Sequence, residues 1–99
     1  MDFEWDPEKE KENFKKHGVH FLAATGIFED SCRVERPDAD SSDDEYRVQT
    51  IGYCENMLFV VYTERGDSTR IISARLAESF ERRIYHGDCE AYGWTRAHP

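Results

Sequence analysis

Three strand-like runs in the second half of the chain, YRVQTIGY (46–53), MLFVVYTE (57–64) and STRIISAR (68–75), leave little freedom in how it folds. Each has the length of a strand, and only the turn-like CEN and RGD separate them. Connections that short join antiparallel neighbours, because a parallel crossover needs a dozen residues or more. A three-stranded meander is therefore expected, and MLFVVY, apolar at every position, is its central strand, covered on both faces.

Helical signals flank the meander. In DPEKEKENFKKHG, Asp6 is placed as N-cap, Pro7 as first helical residue and Gly18 just past the end. Acids gather in the first turns and Lys15, Lys16 and His17 in the last, an order that suits the helix macrodipole. Phe14 is the one large hydrophobe, so this helix lies on the surface with a narrow contact face. HFLAATGIFED spaces Phe21, Ala24 and Phe28 for a second, short and more apolar helix. LAESFERRIYHG sets Ala77, Phe80 and Ile84 on one face of a third, which ends at Gly87. Short strands are expected over DFEW and around Cys32 to Glu35, and the run PDADSSDDE, from Pro37 to Glu45, reads as a solvated loop. The outcome is an α+β fold, a small antiparallel sheet with two N-terminal helices and one C-terminal helix. Ninety-nine residues suit one domain, assigned to residues 1–87, with DCEAYGWTRAHP (88–99) as a tail of no clear period.

Charge divides the chain. The net charge is −8, which ordinarily disfavours a polyanionic partner. All of the excess lies in residues 1–45, with 14 acids and 6 bases, while residues 46–99 hold 7 of each and every base there is arginine. A planar guanidinium grips phosphate or carboxylate bidentately. Arg47, Arg65, Arg70 and Arg75 fall on or beside the meander, and Arg82 and Arg83 follow on the third helix. Strict alternation sends Arg70 and Arg75 to opposite faces unless a bulge or the strand end intervenes. Pairing with a carboxylate such as Glu64 or Glu81 is the competing role for these arginines.

His17, beside Lys16 at a helix C-terminus, suits either capping or proton transfer. His17 with His20, and His86 with Cys89, are the pairs of metal-like spacing, and neither has a second pair, so no metal and no cofactor are expected. Cys32, Cys54 and Cys89 form no CxxC pair and their odd number closes no disulfide framework. Reduced thiols, an acidic N-terminus unlike a signal peptide, and no apolar run near membrane-spanning length give a cytoplasmic expectation.

Taken in order, FEWDPEKEKENFKKHGV, EYRVQTIG, VYTERGDSTRIISAR and ERRIY resemble the BrnT family of bacterial toxins, over about Phe3 to Tyr85. The resemblance implies a RelE-like fold and a metal-independent endoribonuclease that inhibits translation. It also implies neutralisation by a BrnA-like ribbon-helix-helix antitoxin, through which the complex binds operator DNA. An inactive homologue serving as antitoxin-binding partner and co-repressor is the alternative. Carried onto this chain, proton transfer falls to His17, with Glu64 as the other candidate base. Arg65, Arg70 and Arg75 clamp the phosphorane-like transition state, and Lys16, Arg47 and Arg82 hold flanking phosphates. The acidic stretch 38–45 would repel RNA or hold a basic antitoxin segment, and the tail lies outside the resemblance.

Overall fold

The computed structural model describes residues 1–39 and 45–98, so most of the acidic loop expected between Pro37 and Glu45 lies outside the described residues. The order is β1 (Asp2–Glu4), α1 (Pro7–His17), α2 (Phe21–Thr25), a 3-10 turn (Gly26–Glu29), β2 (Val34–Pro37), β3 (Arg47–Cys54), β4 (Asn56–Arg65), β5 (Ser68–Leu76), α3 (Ser79–His86), a second 3-10 turn (Cys89–Tyr92) and β6 (Thr95–Arg96). Among the described residues one six-stranded sheet forms, in the order β1-β5-β4-β3-β2-β6. The meander β3-β4-β5 is its centre, and the sheet is mixed because β1 runs parallel to β5. Among the described residues no helix is long and apolar enough to cross a membrane.

Sequence chemistry fixes the ends of α1. The Asp6 side chain accepts from Glu8 N at 2.9 Å, Pro7 occupies the first turn, and Gly18 closes the helix in the left-handed region at φ 71°. Its buried contact residue is Asn13 rather than Phe14, which is 39% exposed and stacks on His20 with ring centroids 3.8 Å apart. β1 covers the outer edge of β5 only as far as Arg70. Beyond it the Asn13 amide takes the place of a neighbouring strand, donating to Ala74 O at 2.8 Å and accepting from Ala74 N at 3.2 Å. The same amide donates to Val19 O at 3.0 Å and so ties the turn after α1 to the sheet.

Two apolar layers enclose the meander. On the first face Phe21, Ala24, Ile27 and Phe28 pack on Leu58, Val60, Tyr62, Ile71 and Ala74. On the second, Ile84, Cys89 and Trp94 pack on Val34, Ile51 and Met57, with Phe59 beside them. Alternation along β4 sends even-numbered residues to the first face and odd-numbered ones to the second, which is why MLFVVY is apolar throughout.

One expectation needs correction. Phe80 was expected on the buried face of the third helix, but it is 51% exposed, and the buried side chains there are Ala77, Glu81 and Ile84. The helix begins only at Ser79, and Glu81 turns inward because it is paired, as described below. The aperiodic tail is also part of the packed structure: β6 pairs antiparallel with β2, Ala97 N donates to Arg33 O at 2.8 Å, and Trp94 is 2% exposed.

Candidate functional site

The site begins with an irregularity in β5. Val61 lies opposite Ser73 and Tyr62 opposite Ile71, so Ile72 is left without a partner. One extra residue reverses the alternation beyond it. Buried positions accordingly fall at Thr69, Ile71 and Ala74. Arg70 lies opposite Thr63 and Arg75 opposite Phe59, two β4 residues of the same parity, and the two arginines therefore share the second face.

Register extends that set. Arg47 lies opposite Thr63 on β3, Gln49 opposite Val61, and Arg36 opposite Gln49 on β2. Arg65, two residues beyond Thr63, has the same parity. Arg36, Arg47, Arg65, Arg70 and Arg75 thus project from one face of the sheet, beside the end covered by α3 and the tail. Aromatic rings support two of them: the Arg75 guanidinium lies 4.2 Å from the Phe59 centroid, Trp94 meets Phe59 edge-on at 6.3 Å, and Arg36 lies 4.7 Å from the Trp94 centroid.

Carboxylates meet most of these cations. Arg75 holds Glu81 with two bonds of 2.8 Å, and Glu81, 2% exposed, also accepts Glu78 N in the capping box of α3. The bonds to Glu81 hold the Arg75 pKa above its ordinary value, against the opposing effect of burial. Arg70 reaches Glu4 at 2.7 Å, Arg47 reaches Glu45 at 3.2 Å, and Arg65 is 4.0 Å from the same Glu45. Arg36 has no carboxylate partner among the described residues and donates to Gln49 Oε1 at 2.9 Å. Exposed ion pairs contribute about 0–1 kcal/mol and exchange readily. Breaking a buried pair costs roughly 3–5 kcal/mol. Arg75 is therefore a brace between β5 and α3, while Arg36, Arg65 and Arg70 are available to an incoming anion.

His17 and Lys16 lie at the margin of this face. With Lys9, Glu12 and Asn13 they form the α1 wall of a groove whose other wall is Ile72 and Ser73 at the bulge. Ser73 carries the parity of the arginine face, so the groove adjoins it. His17 also borders a neighbouring hollow with His20 and Leu76. One sequence candidate, Glu64, stands apart. Glu64 points to the first face, where it accepts from the Thr69 hydroxyl at 3.3 Å, and Arg82 is exposed on α3. Among the described residues no group of three His, Cys, Asp or Glu is placed to hold a metal.

Arg36, Lys9 and Glu12 were missed in the sequence. Helical spacing of Lys9, Glu12, Asn13 and Lys16 was signal enough for the α1 wall. Arg36 needed the register of β2, which four residues do not reveal.

Comparison with known proteins follows the same outline. A family profile described as the ribonuclease toxin, BrnT, of type II toxin-antitoxin systems matches residues 5–81. The crystal structure of the Brucella abortus ribonuclease toxin BrnT is similar in fold, with a TM-score of 0.61 over 80% of this chain and 99% of that chain, at 24% identity. No curated protein sequence matches the chain.

Proposed function

The chain belongs to the BrnT family of ribonuclease toxins of type II toxin-antitoxin systems, and we propose that it is a metal-independent endoribonuclease whose substrate RNA lies across the arginine face. The observation that carries this reading is the unpaired Ile72, which brings Arg70 onto the face of Arg36, Arg47 and Arg65, next to the groove of His17. RNA phosphates exchange with Glu4 and Glu45 for these guanidinium groups. Lys16 holds a flanking phosphate at the groove. Arg82, exposed on α3, holds a further flanking phosphate.

In the reaction His17 removes the proton of a ribose 2′-hydroxyl, and the 2′-oxygen attacks the adjacent phosphorus. The 5′-oxygen leaves with a proton from water, giving a 2′,3′-cyclic phosphate and a 5′-hydroxyl. Arg70 and Arg65 stabilise the additional negative charge of the phosphorane-like transition state. Glu64 takes no part because it is on the opposite face, and Arg75 acts by holding the strand. The toxin is neutralised by a BrnA-like ribbon-helix-helix antitoxin, through which the complex binds operator DNA.

The test is cleavage of a mixed RNA by purified protein in chelator, with analysis of the ends. Cyclic-phosphate ends, lost in folded His17→Ala, support the reading. Cleavage unchanged in that variant removes His17 from the mechanism. A second reading, an inactive homologue that binds antitoxin and co-represses, is favoured by one observation: Arg47, Arg70 and Arg75 already hold carboxylates. It predicts tight antitoxin binding with no cleavage.

A further inference from the structure

A hollow of about 240 Å³ opens on the first face at the β2 edge, away from the His17 groove. Glu35, Arg36, Tyr46, Val48, Tyr62 and Thr95 line it. β6 pairs with Val34 and Glu35, and among the described residues β2 has no strand partner on that side from Arg36 onward. Arg36 is common to the hollow and to the arginine face, where it stacks on Trp94.

The polar group of the hollow is an oriented carboxylate. Tyr62 donates its hydroxyl to Glu35 Oε2 at 2.7 Å, and Arg33, itself 6% exposed, reaches the same oxygen at 3.5 Å. Arg33 is fixed in turn by Thr50 at 3.0 Å and by the Phe28 ring, 4.6 Å from its guanidinium carbon. An ionised carboxylate offers about four lone-pair sites. Two are engaged here, and Glu35 Oε1 has no protein donor among the described residues. Tyr46, 64% exposed, lines the same hollow, and no ring stacks on it among the described residues.

We infer that this hollow is a guanine subsite of the RNA-binding surface, with the Watson–Crick edge of the base on Glu35, its ring against Tyr46 and its phosphate on Arg36. The inference rests on the RNA reading above and gives it a base preference. Guanine presents two adjacent donors, N1–H and the 2-amino group, to the two open lone-pair sites of the acceptor-only Glu35 Oε1. Adenine and cytosine set a ring-nitrogen acceptor beside their amino group, and uracil flanks its single N–H with two carbonyls, so each meets Glu35 with repulsion. Aromatic stacking adds affinity without discrimination.

The experiment is an NMR titration of the full chain with each of the four 5′-mononucleotides. GMP is expected to shift resonances of Glu35, Tyr46, Val48, Tyr62 and Thr95 and to bind about tenfold more tightly than AMP, CMP or UMP. Glu35→Gln should abolish the preference. Tyr46→Ala, at an exposed ring that leaves the fold intact, should weaken GMP binding about tenfold. The inference is overturned if millimolar GMP leaves those resonances unmoved, if the four nucleotides bind alike, or if both variants bind GMP as wild type does. No scissile bond is present, so a protein that selects GMP but cleaves no RNA fails the nuclease reading alone, and one that cleaves RNA without selecting GMP fails this inference alone.

Discussion

Arg70 and Arg75, five residues apart on one strand, share a face because Ile72 between them pairs with nothing on β4. Their partners separate their roles. Glu4, which holds Arg70, is a surface carboxylate, whereas Glu81, which holds Arg75, is buried and caps α3.

Arg75→Ala is therefore expected to cost roughly 3 kcal/mol of stability, since it strands the Glu81 carboxylate inside the protein. Arg70→Ala should cost less than about 1 kcal/mol. Urea unfolding of both variants measures the contrast, and equal losses would contradict the division of roles.

Glu4→Gln releases Arg70 from its ion pair and adds one positive charge to the arginine face. RNA affinity should rise several-fold, with a steeper dependence on salt by about one counterion. Fluorescence titrations at several salt concentrations read both quantities.

Asn13→Leu should cost roughly 3 kcal/mol, because Ala74 N, Ala74 O and Val19 O lose their partner together. Hydrogen exchange at the Ala74 amide should accelerate in that variant more than at amides of β3. Uniform acceleration would mean that the amide contributes to global stability without acting as a local edge cap.

Asp30 gives an acid limb to stability. Burial raises its pKa, but the Tyr85 hydroxyl at 2.6 Å and the amides of Cys32 and Tyr53 at 2.9 and 2.8 Å outweigh that, leaving it below the ordinary value of 3.8. With the folded value depressed, the contribution is full above pH 3.8 and is lost as pH falls through the folded pKa. Asp30→Asn should flatten the fall of the urea midpoint in that acid range while lowering the midpoint at neutral pH.

The meander, both ends of α1 and the apolar periodicity of α2 were legible because each is a local signal: alternation, capping chemistry and short turns. The common face of Arg70 and Arg75 was legible only as a condition, since alternation alone separates them and a bulge depends on how β4 and β5 pair. Phe80 was misread because hydrophobicity is scored residue by residue, while Glu81, legible as a candidate partner for an arginine, is buried by its pairing with Arg75 six residues earlier. Trp94 lies in a segment without period, and its place under Arg36 comes from the pairing of β6 with β2, a contact distant in sequence. Glu64 and Arg65, adjacent in one motif, fall on opposite faces because a strand alternates its side chains.

The most direct measurement is the rate of RNA cleavage in chelator by wild type, Arg70→Gln and Arg83→Gln. The two variants lose the same charge, one from the aligned face and one from the exposed side of α3. Arg70→Gln is predicted to fall by about a hundredfold, with Arg83→Gln close to wild type. Equal losses in the two folded variants, or no cleavage by folded wild type, would contradict the arginine face as the catalytic surface.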